Sequence, residues 1–268
     1  MDRSDPRRKK LRKRTLSLGV LALALVSAAR AGTFDTPLKK QTVDFGLSSS
    51  NPPGGTNFRV RLHCFWYPTL MIKEYDDEGE KGAQWLSILK TASAPAPPCS
   101  RSHVAGERVL QPPDWFGYFK GVRGNLVFLD DPDGTNGGLP FSVYDSRTGE
   151  KVFEDNAYEA RMWNGKLRAP ESVFNALRVS QAAEGPTTLV YLRVVEGGCD
   201  LHSEGSDCWE KIRRKFGIKS TEMPVCINYE ETRGRWWTSA VAYPVETRLF
   251  PKPATKTIDG PVLCWPVD

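Results

Sequence analysis

The densest set of metal-capable oxygens in this 268-residue chain lies in D-D-P-D-G-T-N-G-G, Asp130 to Gly138. Asp131, Asp133 and Asn136, with backbone carbonyls, are candidate ligands for a structural calcium ion, because calcium accepts irregular cages of carboxylate, amide and carbonyl oxygens. The stretch is no EF-hand. Counted from Asp131, the sixth position is Asn136 where that loop carries glycine, and the twelfth is Ser142 where it carries a bidentate glutamate. The competing reading is a polar turn, since Asp, Pro, Gly and Asn are the residues any exposed loop uses to reverse the chain.

Other chemistries find little support. There are three histidines, His63, His103 and His202. No G-x-S-x-G elbow accompanies them, and Ser102 beside His103 along the chain does not set hydroxyl and imidazole in attack geometry. Zinc-protease, phosphate-loop and dinucleotide-binding spacings are lacking in the sequence. A carboxylate pair for glycoside hydrolysis can come from any two positions, so spacing neither supports nor excludes it. Tryptophan is more suggestive. Trp115 opens W-F-G-Y-F, and Trp236 and Trp237 are adjacent. In a strand neighbouring side chains point to opposite faces, so one of that pair is expected in the core and the other at the surface, where an aromatic ring can anchor a protein or a glycan. Trp115, Trp236 and Trp237 are therefore the candidate ligand-binding residues.

Six cysteines, Cys64, Cys99, Cys199, Cys208, Cys226 and Cys264, include no C-x-x-C pair. That spacing disfavours a structural zinc or a thioredoxin-like centre and favours three disulfides in an oxidising compartment. Sequential pairing is expected: Cys199 and Cys208 bracket a Gly- and Ser-containing loop, and proximity along the chain joins Cys64 to Cys99 and Cys226 to Cys264.

The elements that must position these residues read as strands and turns. Phe58 to Phe65 alternates apolar and polar residues, the period of a half-buried strand. Thr69–Tyr75 and Ala83–Leu89 are joined across D-D-E-G-E-K-G. Further strands are expected at Phe116–Phe119, Asn125–Leu129, Leu139–Tyr144, Lys151–Glu154, Asn175–Ser180 and Thr188–Val195. In D-S-R-T-G-E, Asp145 can bond backbone amides and Gly149 can take positive φ. Asn164-Gly165 signals another hairpin. Val225–Tyr229 and Trp236–Val245 are expected to close the chain as a hairpin. One helix is predicted over 207–217, with Cys208, Trp209, Ile212 and Phe216 at helical spacing, Asp207 as N-cap and Gly217 as stop. The fold expected is a mostly β, antiparallel, disulfide-stapled sandwich or barrel. The hairpin V-Y-D-S-R-T-G-E-K-V-F resembles blade hairpins of β-propellers, which leaves a small propeller as the alternative, although no second copy of the pattern occurs.

Residues 1–31 read as a signal peptide: basic residues from Arg7 to Arg14, an apolar run from Leu16 to Val26, and small residues Ala29 and Ala31 before the expected cut. The run is shorter than the about 20 residues needed to cross a bilayer. Arg7 and Arg8 raise the twin-arginine route, but Lys10 stands where that signal prefers an apolar residue. Without this segment, 37 Lys/Arg and 32 Asp/Glu become 28 and 30, and the net charge moves from +5 to −2. Overall charge then makes no case for nucleic acid. Residues 32–57, ending in S-S-S-N-P-P-G-G, are expected as a flexible lead. Residues 58–268 are expected as one β-rich domain, with a candidate sub-boundary in the Pro-rich span 92–114. The functional expectation is a periplasmic or secreted, non-catalytic module that binds a protein or a glycan, without nucleic acid, without a stable membrane span and with no cofactor beyond the candidate calcium. A cell-envelope or secreted hydrolase using a carboxylate pair is the alternative.

Overall fold

The structure, a computed structural model, describes residues 34–55, 57–91, 97–110, 117–134, 136–158, 187–227 and 238–267, and the backbone alone of 178–181. It is mostly β and sandwich-like, built from two antiparallel sheets. The first contains β1 (Lys39–Leu47), β2 (Arg59–Trp66), β3 (Leu70–Asp77), β4 (Trp85–Lys90) and β5 (Arg108–Leu110), in chain order. The second contains β6 (Tyr118–Arg123), β7 (Leu126–Asp130), β8 (Gly138–Asp145), β9 (Glu150–Tyr158), β10 (Arg178–Gln181), β11 (Thr187–Glu196), β12 (Thr238–Arg248), β13 (Ala254–Thr257) and β14 (Leu263–Val267). Its main path runs β13-β12-β11-β9-β8-β7-β6, with β10 on β11 and β14 on β12. Two sheets of this kind make the propeller alternative unnecessary.

Alternation explains the layers. Leu70, Ile72, Leu86, Ile88 and Leu110 on the inner face of the first sheet pack against Val122, Val127, Leu129 and Tyr144 of the second. On β7 the intervening residues Leu126 and Phe128 point the other way, into a cluster with Phe141, Val143, Tyr191 and Tyr243. Two short helices cover that cluster, α1 (Leu201–Glu204) and α2 (Ser206–Phe216). Cys208, Trp209 and Ile212 form the buried stripe of α2, the spacing of one helical face. Gly217 ends the helix in the left-handed conformation, φ 64°, where a side chain is strained. The N-terminal expectation is corrected: Gly205, not Asp207, occupies the N-cap, and Asp207 lies in the first turn, where its charge still complements the helix dipole.

Three disulfides join Cys64–Cys99, Cys199–Cys208 and Cys226–Cys264. The turn after β8 is as expected: the Asp145 carbonyl accepts from the amides of Thr148 and Gly149, its carboxylate from the Arg147 amide, and Gly149 has φ 74°.

The segment 32–57 differs from its expectation. It holds β1, hydrogen-bonded to β2 from Lys39↔Trp66 to Leu47↔Arg59 with a bulge after Asp44. The strand is exposed on most of both faces, so its sequence lacks the apolar alternation that betrays a half-buried strand. The closing hairpin is also corrected. Within the described residues β12 pairs with β11, β13 and β14, and Cys226 bridges to Cys264 of β14. Residues 228–237 and the Asn164-Gly165 hairpin lie outside the described residues. So does the run 111–116; of the strand expected at Phe116–Phe119, the described part begins at Tyr118.

Candidate functional site

The outer face of the first sheet carries a stripe of aromatic and cationic side chains. Tyr75 and Trp85 sit opposite each other across β3 and β4 and stack with ring centroids 5.4 Å apart. The Arg101 guanidinium lies 4.4 Å from the Tyr75 ring centre and 4.0 Å from that of Phe45 on β1. Arg101 also donates to the Tyr75 hydroxyl. His103 meets Trp85 edge-on at 4.9 Å. The Phe45 and Tyr75 rings also meet edge-on at 6.3 Å, so Arg101 packs over both and Trp85 and His103 continue the stripe. Such cation–π and stacked contacts each contribute about 0.5–1.5 kcal/mol beyond burial.

Arg101 and His103 come from an irregular segment, yet they are held firmly. The Cys64–Cys99 bridge fixes one end of the segment to β2. The other end is tied by Glu107, which reaches into the face of β3 and β4. Its carboxylate accepts from Lys73 Nζ at 2.9 Å, from Ser87 Oγ at 2.5 Å and from the Val104 amide at 2.9 Å, and lies 3.1 Å from His103 Nδ1. Lys73 also donates to the Ser102 carbonyl at 2.8 Å. The side chains of Lys73 and Glu107 are 1% and 0% exposed. Burial by itself would raise the Glu107 carboxyl, but the hydrogen bonds from Ser87, Lys73, His103 and Val104 outweigh it and hold the group below its ordinary value. Ser87 and His103 both contact this carboxylate rather than each other, so the constellation positions a loop and does not activate a hydroxyl.

The inner face of the same strand holds a second polar group. Glu74 is opposite His63 on β2 and Leu86 on β4, which places it between the sheets. Burial pushes its carboxyl up to about 7, although the Phe119 amide donates to it; Asp76 and Asp130 add to the rise and Lys120 opposes it. Asp76, two residues along on the same face, is also raised, first by burial, and its Oδ1 is buried without a hydrogen-bond partner among the described residues. Asp130 pairs with Lys120 at 2.7 Å. His63 is lowered by burial, and its Nδ1 lies 3.0 Å from Thr42 Oγ1.

The residues singled out from sequence lie elsewhere. Trp115, Trp236 and Trp237 are outside the described residues. The loop from Asp131 to Gly137 joins β7 to β8, as a turn would. Asp133 is ion-paired with Lys81, and Asn136, at φ 54°, donates its side-chain amide to Glu196 while its carbonyl accepts from Trp265 Nε1 at 2.8 Å. Asp131 is raised by burial and by the Asp133 charge. Among the described residues no group of three or more His, Cys, Asp or Glu is arranged to hold a metal ion. With Asp133 and Asn136 already engaged by protein groups, the melting temperature is expected to be the same with and without a calcium chelator. A fall on chelation, reversed by calcium, would show that the ion binds the native state.

Tyr75 and Trp85 escaped the sequence reading, although a signal for them exists. They are equidistant from Glu80, which lies within D-D-E-G-E-K-G, and a hairpin closing there must bring them face to face. Arg101, His103 and Phe45 carry no such signal.

Fold and site together define a disulfide-stapled, two-sheet β protein with a rigid aromatic-cationic surface. No protein-family model, curated protein or solved structure matches the chain. The three disulfides suit an oxidising compartment. Among the described residues no helix is long and apolar enough to cross a membrane.

Proposed function

We propose that the chain is exported after removal of residues 1–31 to the periplasm or the medium, and there serves as a non-catalytic binding module that docks a protein partner through the stripe from Phe45 to His103. The observation that carries this reading is the Arg101–Tyr75–Trp85 stack, whose arginine is held on a loop anchored by both a disulfide and a buried ion pair. Trp, Tyr and Arg are the side chains that dominate protein interfaces, and a surface locked before binding loses little entropy on association. A protein suits it better than a glycan. The rings of Tyr75 and Trp85 are covered by each other, by Arg101 and by His103, whereas a sugar needs an open ring face on which to stack.

Chemical crosslinking of the purified protein in envelope and culture fractions tests the reading. A partner captured by the native chain is expected to be reduced at least about tenfold with Arg101→Glu, since a reversed charge at a hot spot costs about 2 kcal/mol or more, while the thermal melt is retained. Capture unaffected by Arg101→Glu would remove the stripe as the docking surface. A second reading, a hydrolase built on a carboxylate pair, draws on Glu74, raised to about 7 beside Asp76. One acid protonated near neutrality is what such chemistry needs. It requires a glycan-hydrolysing activity that Glu74→Gln abolishes, and an inactive native protein leaves the binding module standing.

A further inference from the structure

Where β1 of the first sheet approaches β6 of the second, residues 34–37 cross the gap and line an open pocket of about 270 Å³. Its apolar walls include Phe65 and Phe119, whose ring centroids are 4.8 Å apart. Its polar lining is Asp35, Thr36, Lys40, Tyr67 and Lys120.

The charges do not cancel. Lys120 is paired with Asp130, and Asp35 on the rim is held by Arg123 at 3.1 Å and the Gly124 amide at 2.6 Å. Lys40 stands opposite Phe65 in the sheet, with its ammonium 5.9 Å from that ring, and has no carboxylate partner among the described residues. One positive charge is left over. Tyr67 is 6% exposed and its hydroxyl has no hydrogen-bond partner among the described residues. Tyr67 lines the pocket, where its hydroxyl can donate to a ligand acceptor. Burial and the Asp35 charge push Tyr67 up to about 12, so near neutral pH the phenol keeps its proton and donates.

We propose that this pocket binds a small free carboxylic acid with an apolar or aromatic body, the carboxylate meeting Lys40 and the Tyr67 hydroxyl and the body lying against Phe65 and Phe119. The volume fits a fragment-sized molecule, since drug-sized pockets start near about 300 Å³. The site is separate from the outer-face stripe, so it stands or falls independently of the docking surface proposed above.

The test is an NMR titration of the purified protein at neutral pH with phenylacetate, with benzyl alcohol as the neutral counterpart and inorganic phosphate as an anion without an apolar body. Phenylacetate is expected to shift the amides of residues 119–121 saturably and to bind about tenfold more tightly than either control, the worth of one charge-assisted hydrogen bond. Lys40→Met and Tyr67→Phe should each weaken phenylacetate by a similar factor while the thermal melt is unchanged; both replacements keep the shape of the wall. No saturable shift up to about 10 mM, a weak complex on the affinity scale, would overturn the proposal. Equal binding of phosphate or benzyl alcohol, or undiminished binding by both variants, would do the same.

Discussion

Glu107→Ala is expected to destabilise the protein by about 3–5 kcal/mol, because it strands the Lys73 ammonium in a site that is 1% exposed. The loss is not the net worth of the ion pair. It is mostly the cost of an uncompensated buried charge, so Lys73→Met alone should cost less than Glu107→Ala, and the double change Lys73→Met with Glu107→Leu should recover much of the loss. The pair ties residues 102–107 to β3 and β4 through Ser102, Val104 and His103. Glu107→Ala should therefore also free Arg101 and His103 and weaken partner capture, even at temperatures where the sheets persist. Chemical denaturation of the four proteins at pH 7 measures the cycle, and a cost under about 1 kcal/mol for Glu107→Ala would mean that Lys73 finds water or another partner. The pH dependence has a definite sign. The folded Glu107 carboxyl lies below its ordinary value of 4.5, so its contribution is present above that value and is lost as pH falls through the folded pKa. Acid should release this loop.

Glu74 has the opposite dependence. Its carboxyl is raised from 4.5 to about 7 in the folded chain, so between those values the native state holds a proton that the unfolded state has released. Stability falls as pH rises through this window, and the penalty is complete above about pH 7. At about 1.4 kcal/mol per pKa unit, the group costs about 3 kcal/mol at pH 8 relative to pH 4. Glu74→Gln keeps a carbonyl for the Phe119 amide and removes the charge. The variant is expected to be more stable than the native chain by about 2–3 kcal/mol at pH 8, with the difference shrinking toward pH 4. Asp76, also raised, adds a slope of the same sign, and His63, lowered, adds the opposite one. Both remain in the variant, so the difference between the two denaturation series reports Glu74 together with its coupling to Asp76. A difference independent of pH would show that the carboxyl is not titrating in this range.

Glu74 and Lys73 show why the two polar groups were illegible. In L-M-I-K-E-Y-D-D, two charged neighbours in a strand read as one surface residue and one mistake. β3 is the middle of five strands and is covered on both faces, by the second sheet on one side and the loop 97–107 on the other. Each charge is therefore buried, and each depends on a partner from far along the chain: Glu107 for Lys73 and the Phe119 amide for Glu74. β1 was missed for the converse reason, being exposed on most of both faces and holding its place by backbone hydrogen bonds that leave no pattern in side-chain type.

Local chemistry was enough to read the mostly β class, the turn at Asp145 to Gly149, the stop at Gly217 and the buried stripe of the second helix. Alternation, helical spacing and the demand for positive φ act over a few residues and are written in residue type. The pairing of six cysteines in chain order was legible by proximity alone. Tertiary structure decided the rest: which strands share a sheet, that Arg101 packs over both Phe45 and Tyr75, that Lys40 is left without a counter-charge beside a buried Tyr67, and that a glutamate between two sheets titrates near neutrality. These properties depend on distance and on exclusion of water, and both are set by packing between residues that the order of the chain does not bring together.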